Sequence, residues 1–278
     1  MEECISYIYF GKKINLSIFG ESHGKAIGIV INGIEPGIKI DLEKIKKDMA
    51  RRAPGRNTLS TQRKEGDNFE ILSGFFEGYT TGTPLSVIIK NNDTKSKDYS
   101  KIKDLVRPSH GDFSGFVKYN GFNDYRGGGH FSGRITAPLV FAGALAKQIL
   151  ESKGIYVGAH IQRVGKVEDD SFDRVNLNKE VLDSILVKEL PLLNNEKIDE
   201  IKREILNARQ NGDSVGGAIE CSLIGINPGI GNPFFDSLES VIAHLAFSVP
   251  AVKGIEFGLG FDFAKENASK VNDEYHIE

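Results

Sequence analysis

Apolar and polar positions alternate most regularly at Leu85, Val87 and Ile89, the period of a strand with one buried face, leading into a polar stretch over 91–103. A second strand is expected within Phe69–Phe76. From Ile135 to Leu150 the period changes: Leu139, Ala142, Ala146, Ile149 and Leu150 recur at helical spacing, with Gly143 and Ala144 small enough for a close neighbour. Glu196–Asn211 is an amphipathic helix by the same test, with Ile198, Ile201, Ile205 and Ala208 on one face and Gly212 as its stop. Asp236, with Glu239 three residues on, has the spacing of a capping box. The helix it would open carries Leu238, Val241, Ile242, Leu245 and Val249 on its apolar face. Lys166–Asn178, charged and polar, has little to bury and is expected to be the least ordered stretch.

The segment Ile31-Asn-Gly-Ile-Glu-Pro-Gly-Ile38 is echoed by Leu223-Ile-Gly-Ile-Asn-Pro-Gly-Ile230. Gly33, Pro36 and Gly37 match Gly225, Pro228 and Gly229 at one constant offset, and each copy is followed by an aspartate suited to cap a helix, Asp41 and Asp236. Strand, Pro-Gly turn and helix in the same order twice point to an internal duplication. Short turns join adjacent strands, and strands outnumber helices. The expected class is therefore α+β, antiparallel sheets sandwiching a helical layer, with an internal pseudo-two-fold repeat.

Composition removes several functions. The 278 residues carry 35 basic and 38 acidic side chains, a net charge of −3, so no global field favours nucleic acid or a membrane surface. No stretch approaches the roughly 20 apolar residues of a membrane span, and the acidic start Met-Glu-Glu-Cys lacks a signal peptide's apolar core. Cys4 and Cys221 are too few for a disulfide framework or a thiolate metal site, which fits the cytoplasm. No metal is expected, because the six histidines show neither His-x-x-x-His nor cysteine pairing.

Four clusters concentrate glycine with histidine, arginine and serine. Glycines flank Ser22 and His23 in Gly20-Glu-Ser-His-Gly24, letting the backbone approach a ligand while the side chains project. Arg51-Arg52-Ala-Pro-Gly-Arg56, running on to Gln62-Arg63-Lys64, packs cations too closely for one helix face and reads as an anion-binding loop. Arg107-Pro-Ser-His-Gly-Asp112 holds His110 at a turn between an arginine and an aspartate. Asp124-Tyr-Arg-Gly-Gly-Gly-His-Phe-Ser-Gly-Arg134 runs straight into the helix at Ile135, so free backbone N–H groups would face an anion. A nucleotide phosphotransferase does not fit, since Gly-x-x-x-x-Gly-Lys-Ser/Thr is absent.

In this order, together with Ile71-Leu-Ser-Gly74, Thr80-Thr-Gly-Thr83, Gly212-Asp-Ser-Val-Gly216 and Val252-Lys-Gly-Ile-Glu256, the clusters resemble the chorismate synthases from Phe19 to the last residue. The resemblance implies a lyase that turns 5-enolpyruvylshikimate 3-phosphate into chorismate and phosphate by 1,4-anti elimination. It also implies reduced FMN, reduced with NADPH or by a separate flavin reductase, and a cytoplasmic homotetramer in aromatic amino-acid biosynthesis.

By the same resemblance His23 protonates the departing phosphate with Ser22 beside it, and His110 serves the reduced flavin. Arg52, Arg107 and Arg134 hold the substrate anion, while His130, Phe131, Ser132 and Ala251 lie at flavin-contacting positions. Three departures stand out. The family's Arg-Ser-Ser is His130-Phe131-Ser132 here, its further arginine after the Pro-Gly is Thr58, and its Asn-Ala before Val-Lys-Gly is Pro250-Ala251. Family members continue past the point matching Asn272-Asp-Glu274 into a Gly-rich segment, a Lys-Pro loop and an Arg-x-Asp-Pro motif. The expectation is one domain over 1–278 without that C-terminal segment, the alternative being a truncated flavin- or anion-binding relative without catalysis.

Overall fold

The computed structural model describes residues 9–55, 59, 66–92 and 105–273. Arg56, Thr58, Gln62, Arg63, Lys64 and His276 lie outside the described residues. The chain divides into two compact units, Met1–Ile226 and Asn227–Glu278.

The first unit opens with β1 (Tyr9–Phe10), β2 (Asn15–Gly20), β3 (Ala26–Asn32) and α1 (Leu42–Arg52). It continues through β4 (Phe69–Ser73), the small hairpin of β5 (Phe75–Phe76) and β6 (Tyr79–Thr80), and β7 (Leu85–Lys90). The expected strand over Phe69–Phe76 is thus two strands in different sheets. A five-stranded antiparallel sheet runs β1-β2-β3-β7-β4. Its centre follows directly from the alternation in the sequence. Ile27, Ile29 and Ile31 of β3 stand opposite Ile89, Val87 and Leu85 of β7, and all six are buried on one face. Burying each such side chain contributes about 1.5–3 kcal/mol.

Helices α2 (Asp112–Lys118) and α3 (Thr136–Glu151) come next. That buried sheet face packs against Ile45 and Met49 of α1 and Ala137, Phe141 and Leu145 of α3 in one core, where the Phe69 ring meets Phe141 edge-on at 5.0 Å. The inward face of α3 differs from the expected one. Ala146 and Gly143 point outward, and nothing lies within 4 Å of where a Cβ on Gly143 would stand.

Then β8 (Tyr156–Val164), β9 (Val167–Glu168), α4 (Lys179–Leu186), α5 (Ile198–Gln210) and β10 (Gly217–Ile224) complete the unit. The three-stranded antiparallel sheet β10-β8-β9 is backed by two further cores. Ile201 of α5 packs with Val164 and Leu192, and Leu182 and Ile185 of α4 with Phe172. Lys166–Asn178 is therefore not a loose stretch, contrary to expectation. Asp169 is buried and accepts hydrogen bonds from the Leu193 and Asn194 N–H groups at 2.6 and 2.9 Å. Phe172 is buried edge-on to His160. His160 itself bridges Asp169 and Glu220, its Nε2 2.7 Å from the Glu220 carboxylate. Few residues are buried there, but each is fully partnered.

The second unit holds α6 (Leu238–Ser248). Its cap is Ser237, whose Oγ accepts from the Ser240 N–H at 3.2 Å, rather than the expected Asp236. The serine is one residue nearer the first turn, where its oxygen reaches the third amide. Among the described residues no helix is long and apolar enough to cross a membrane. Mixed helices and antiparallel sheets are the α+β class expected from the sequence.

Candidate active site

The turn after β2 carries Ser22 and His23, and it meets the glycine run before α3. Gly127, Gly128 and Gly129 have φ of 59°, 83° and 54°, three consecutive left-handed residues that only glycine takes at little cost. A side chain at Gly127 is excluded twice over, because its Cβ would fall 2.2 Å from His23 Cε1 and 2.7 Å from Ser22 Oγ. The glycine arch is the floor on which the histidine lies.

Ser22 is fully buried. Its N–H donates to Gly129 O at 3.1 Å and its Oγ lies 3.1 Å from both Arg126 O and Gly127 O. One hydroxyl hydrogen directed at those carbonyls leaves Oγ to accept from His23 Nδ1, 3.0 Å away. The imidazole then carries a proton on Nδ1, and exchange with a ligand runs through Nε2. His130 Nδ1 closes the arch onto Gly20 O at 2.8 Å.

Two ion pairs brace this region. Arg126 grips Asp124 through Nε and Nη2 at 2.8 and 2.7 Å. The hydrogen bonds from Arg126, and the charge of nearby His23, hold the Asp124 carboxyl below the usual aspartate range. Arg107 grips Asp112 in the same way at 2.8 and 2.9 Å and depresses its carboxyl. His110 stands exposed between these two partners, its N–H on Arg107 O at 3.3 Å, after Ser109 in the left-handed region at φ 62°. The third and fourth clusters touch. A Cβ on Gly128 would lie 3.6 Å from Arg107 Nη2, and the Phe131 ring lies where side chains on Gly111 and Gly115 would stand, 3.0 and 2.7 Å from them.

The second cluster enters through Arg52, at the end of α1. Its Nη1 donates to Asp67 at 2.6 Å and its Nη2 to Gly133 O at 3.2 Å. Asp67 also takes a hydrogen bond from Arg134, so one carboxylate with no exposed side-chain surface joins two of the arginines singled out in the sequence. Arg134 is itself buried and donates further to Asn91 Oδ1 and Lys90 O. Sequence reading missed Asp67 and Asn91. Both sit in ordinary polar stretches, and the only local mark, φ 49° at Asp67, is visible in the fold alone.

The structure thus brings together Ser22, His23, Arg52, Arg107, His130, Phe131, Ser132 and Arg134 through shared contacts, with His110 on the Arg107 turn. Ser132 Oγ caps the short turn into α3 by accepting from the Arg134 N–H at 3.3 Å, and Phe131 is 41% exposed. Ala251 belongs to the second unit, at the third position of a Val249–Val252 turn with φ 70° and Val252 N–H on Val249 O at 3.3 Å.

On this α+β fold, arginine- and histidine-bearing glycine turns gather the donors and charge that a small anion needs. Comparison with known proteins makes the class specific. A family model described as chorismate synthase matches residues 14–278. The chain is 47% identical over 268 residues to a chorismate synthase of Pyrococcus abyssi, covering 96% of this chain and 73% of that protein. It is 42% identical over 270 residues to one from Methanobrevibacter smithii, covering 96% and 72%. A crystal structure of chorismate synthase superposes with a TM-score of 0.76 at 30% identity, over 95% of this chain and 73% of the other. The chain belongs to the chorismate synthase family, and its enzyme class is lyase.

Proposed function

We propose that the chain converts 5-enolpyruvylshikimate 3-phosphate to chorismate and phosphate at the arch described above. In this elimination the carbon–oxygen bond to phosphate breaks with its electron pair leaving on oxygen. A ring C–H loses its proton, matched in the net reaction by the one the phosphate gains, and its electron pair forms the second ring double bond without net redox change. Reduced FMN, when bound, supplies transient electron density that weakens the breaking bond, and Phe131 and Ser132 are the residues of the arch that would hold it. His23 delivers the proton to the leaving phosphate, Arg52 and Arg107 hold the anion, and His110 exchanges a proton on the flavin side.

The observation that carries this reading is the Ser22–His23 pair on the glycine arch, since it occupies Nδ1 and leaves Nε2 as the nitrogen that faces a ligand, a donor when the ring is the imidazolium. Anaerobic turnover with photoreduced FMN, scored as chorismate release, tests it. His23→Ala should lower turnover by roughly 10²–10⁴-fold, the usual worth of general acid catalysis, with flavin binding little changed. An unchanged turnover number would return His23 to an ordinary surface turn.

A further inference from the structure

We propose that Asn91, supported by the buried Arg134–Asp67 pair, is a positioning residue that sets the His23 turn against the arginine side of the site. The proposal rests on the function assigned above. Asn91 is the first residue after β7, and its side-chain amide is used at both ends. Oδ1 accepts from Arg134 Nε at 3.1 Å, while Nδ2 donates to Glu21 O at 3.0 Å and Gly24 O at 2.9 Å. Those two carbonyls flank Ser22 and His23, so one amide clamps both ends of the turn. Its orientation is unambiguous, because a guanidinium needs an acceptor and two carbonyls need donors. The Asn91 N–H on Lys25 O, at 3.2 Å, adds a third tie.

The far side of the clamp is equally fixed. Arg134, with 2% of its side chain exposed, shares the Asp67 carboxylate with Arg52. Arg52, the other guanidinium on that carboxylate, is 20% exposed. Arg134 therefore acts as a strut between two working parts. Toward β2 it holds, through Asn91, the turn that bears the proton donor. Toward α1 it shares a partner with the arginine that faces the anion. A clamp of this kind controls distance more than affinity, and a misplacement of about 1 Å in a reacting group costs about 10²-fold in rate.

Two variants of the full chain test this. Asn91→Ala removes all side-chain ties, whereas Asn91→Asp keeps an acceptor for Arg134 but replaces both donors to the turn. Each should lower kcat about 10²-fold with KM changed less than about threefold. Each should also shift the His23 ring resonances in a ¹H–¹³C spectrum, assigned by their loss in His23→Ala, while leaving those of His110 in place. Unchanged kcat and unchanged His23 resonances in both variants would overturn the proposal. A rise in KM matching the fall in kcat, or a general shift of all histidine signals with loss of cooperative unfolding, would make Asn91 a structural residue only and overturn it equally. If the unmodified chain showed no turnover at all, the functional assignment would fail separately. The His23 resonances would still report whether the clamp exists.

Discussion

At Asp124 one carboxylate faces a bidentate guanidinium and stands near His23, and the pH dependence of its contribution has a definite sign. Its carboxyl pKa is lower in the folded chain than in an unfolded one. The pair therefore stabilises the fold fully above the unfolded value, and the contribution is lost as pH falls through the depressed folded value. Asp124→Asn should lower stability at pH 7 and flatten the fall of unfolding free energy below about pH 4. Urea titrations from pH 7 down to the acid limit would measure both, and parallel profiles for the two proteins would contradict the assignment. Asp112, paired in the same way with Arg107, supplies a second such term, so the single variant flattens the profile without abolishing it.

Helix ends show how far local chemistry reads through to structure. Asp41 does what its place after the Pro-Gly turn suggests: its Oδ1 accepts from the Glu43 and Lys44 amides at 2.9 and 3.3 Å. Gln148 of α3 then clasps the Asp41 backbone at both N–H and C=O, 2.8 and 3.0 Å, locking α1 to α3. Asp41→Ala should cost about 1 kcal/mol, the usual worth of a cap, and speed hydrogen exchange at the Glu43 and Lys44 amides. Ser237→Ala should act likewise on Ser240 of α6, while Asp236→Ala leaves that amide protected; the reverse result would restore Asp236 as the cap.

The alternation of β7, the periodicity of α5 and the glycine-rich turn before α3 were legible because each is decided by neighbours in sequence. Residues joined across long separations were not. Asp67 meets Arg134, Asn91 meets Glu21, and His160 meets Glu220, each partner chosen by the fold. The four clusters could be named from composition and motif, but the side chains that fix their spacing could not.

For the whole molecule the open question is whether the echo between Ile31–Ile38 and Leu223–Ile230 is structural or a coincidence of turn chemistry. Gly33 ends β3 at φ 85°, and a Cβ there would lie 2.1 Å from Lys13 O, just before the neighbouring strand β2. Gly225 ends β10 at φ 81°, and a Cβ there would lie 2.2 Å from Gly154 O, just before the neighbouring strand β8. Each glycine thus plays the same part against its own antiparallel partner, β2 beside β3 and β8 beside β10. Four residues on, Gly37 and Gly229 also match, at φ 79° and 88°, but nothing lies within 4 Å of either Cβ position. The two copies therefore predict a pattern. Alanine at Gly33 or Gly225 meets both the left-handed backbone cost, about 1–2 kcal/mol, and a backbone clash of about 1–3 kcal/mol. Alanine at Gly37 or Gly229 meets only the first. Chemical unfolding of the four single variants should rank them as two matched pairs, Gly33→Ala with Gly225→Ala well below Gly37→Ala with Gly229→Ala. A large loss at Gly33 beside a small one at Gly225 would mean that the repeat is only a shared preference for Pro-Gly turns.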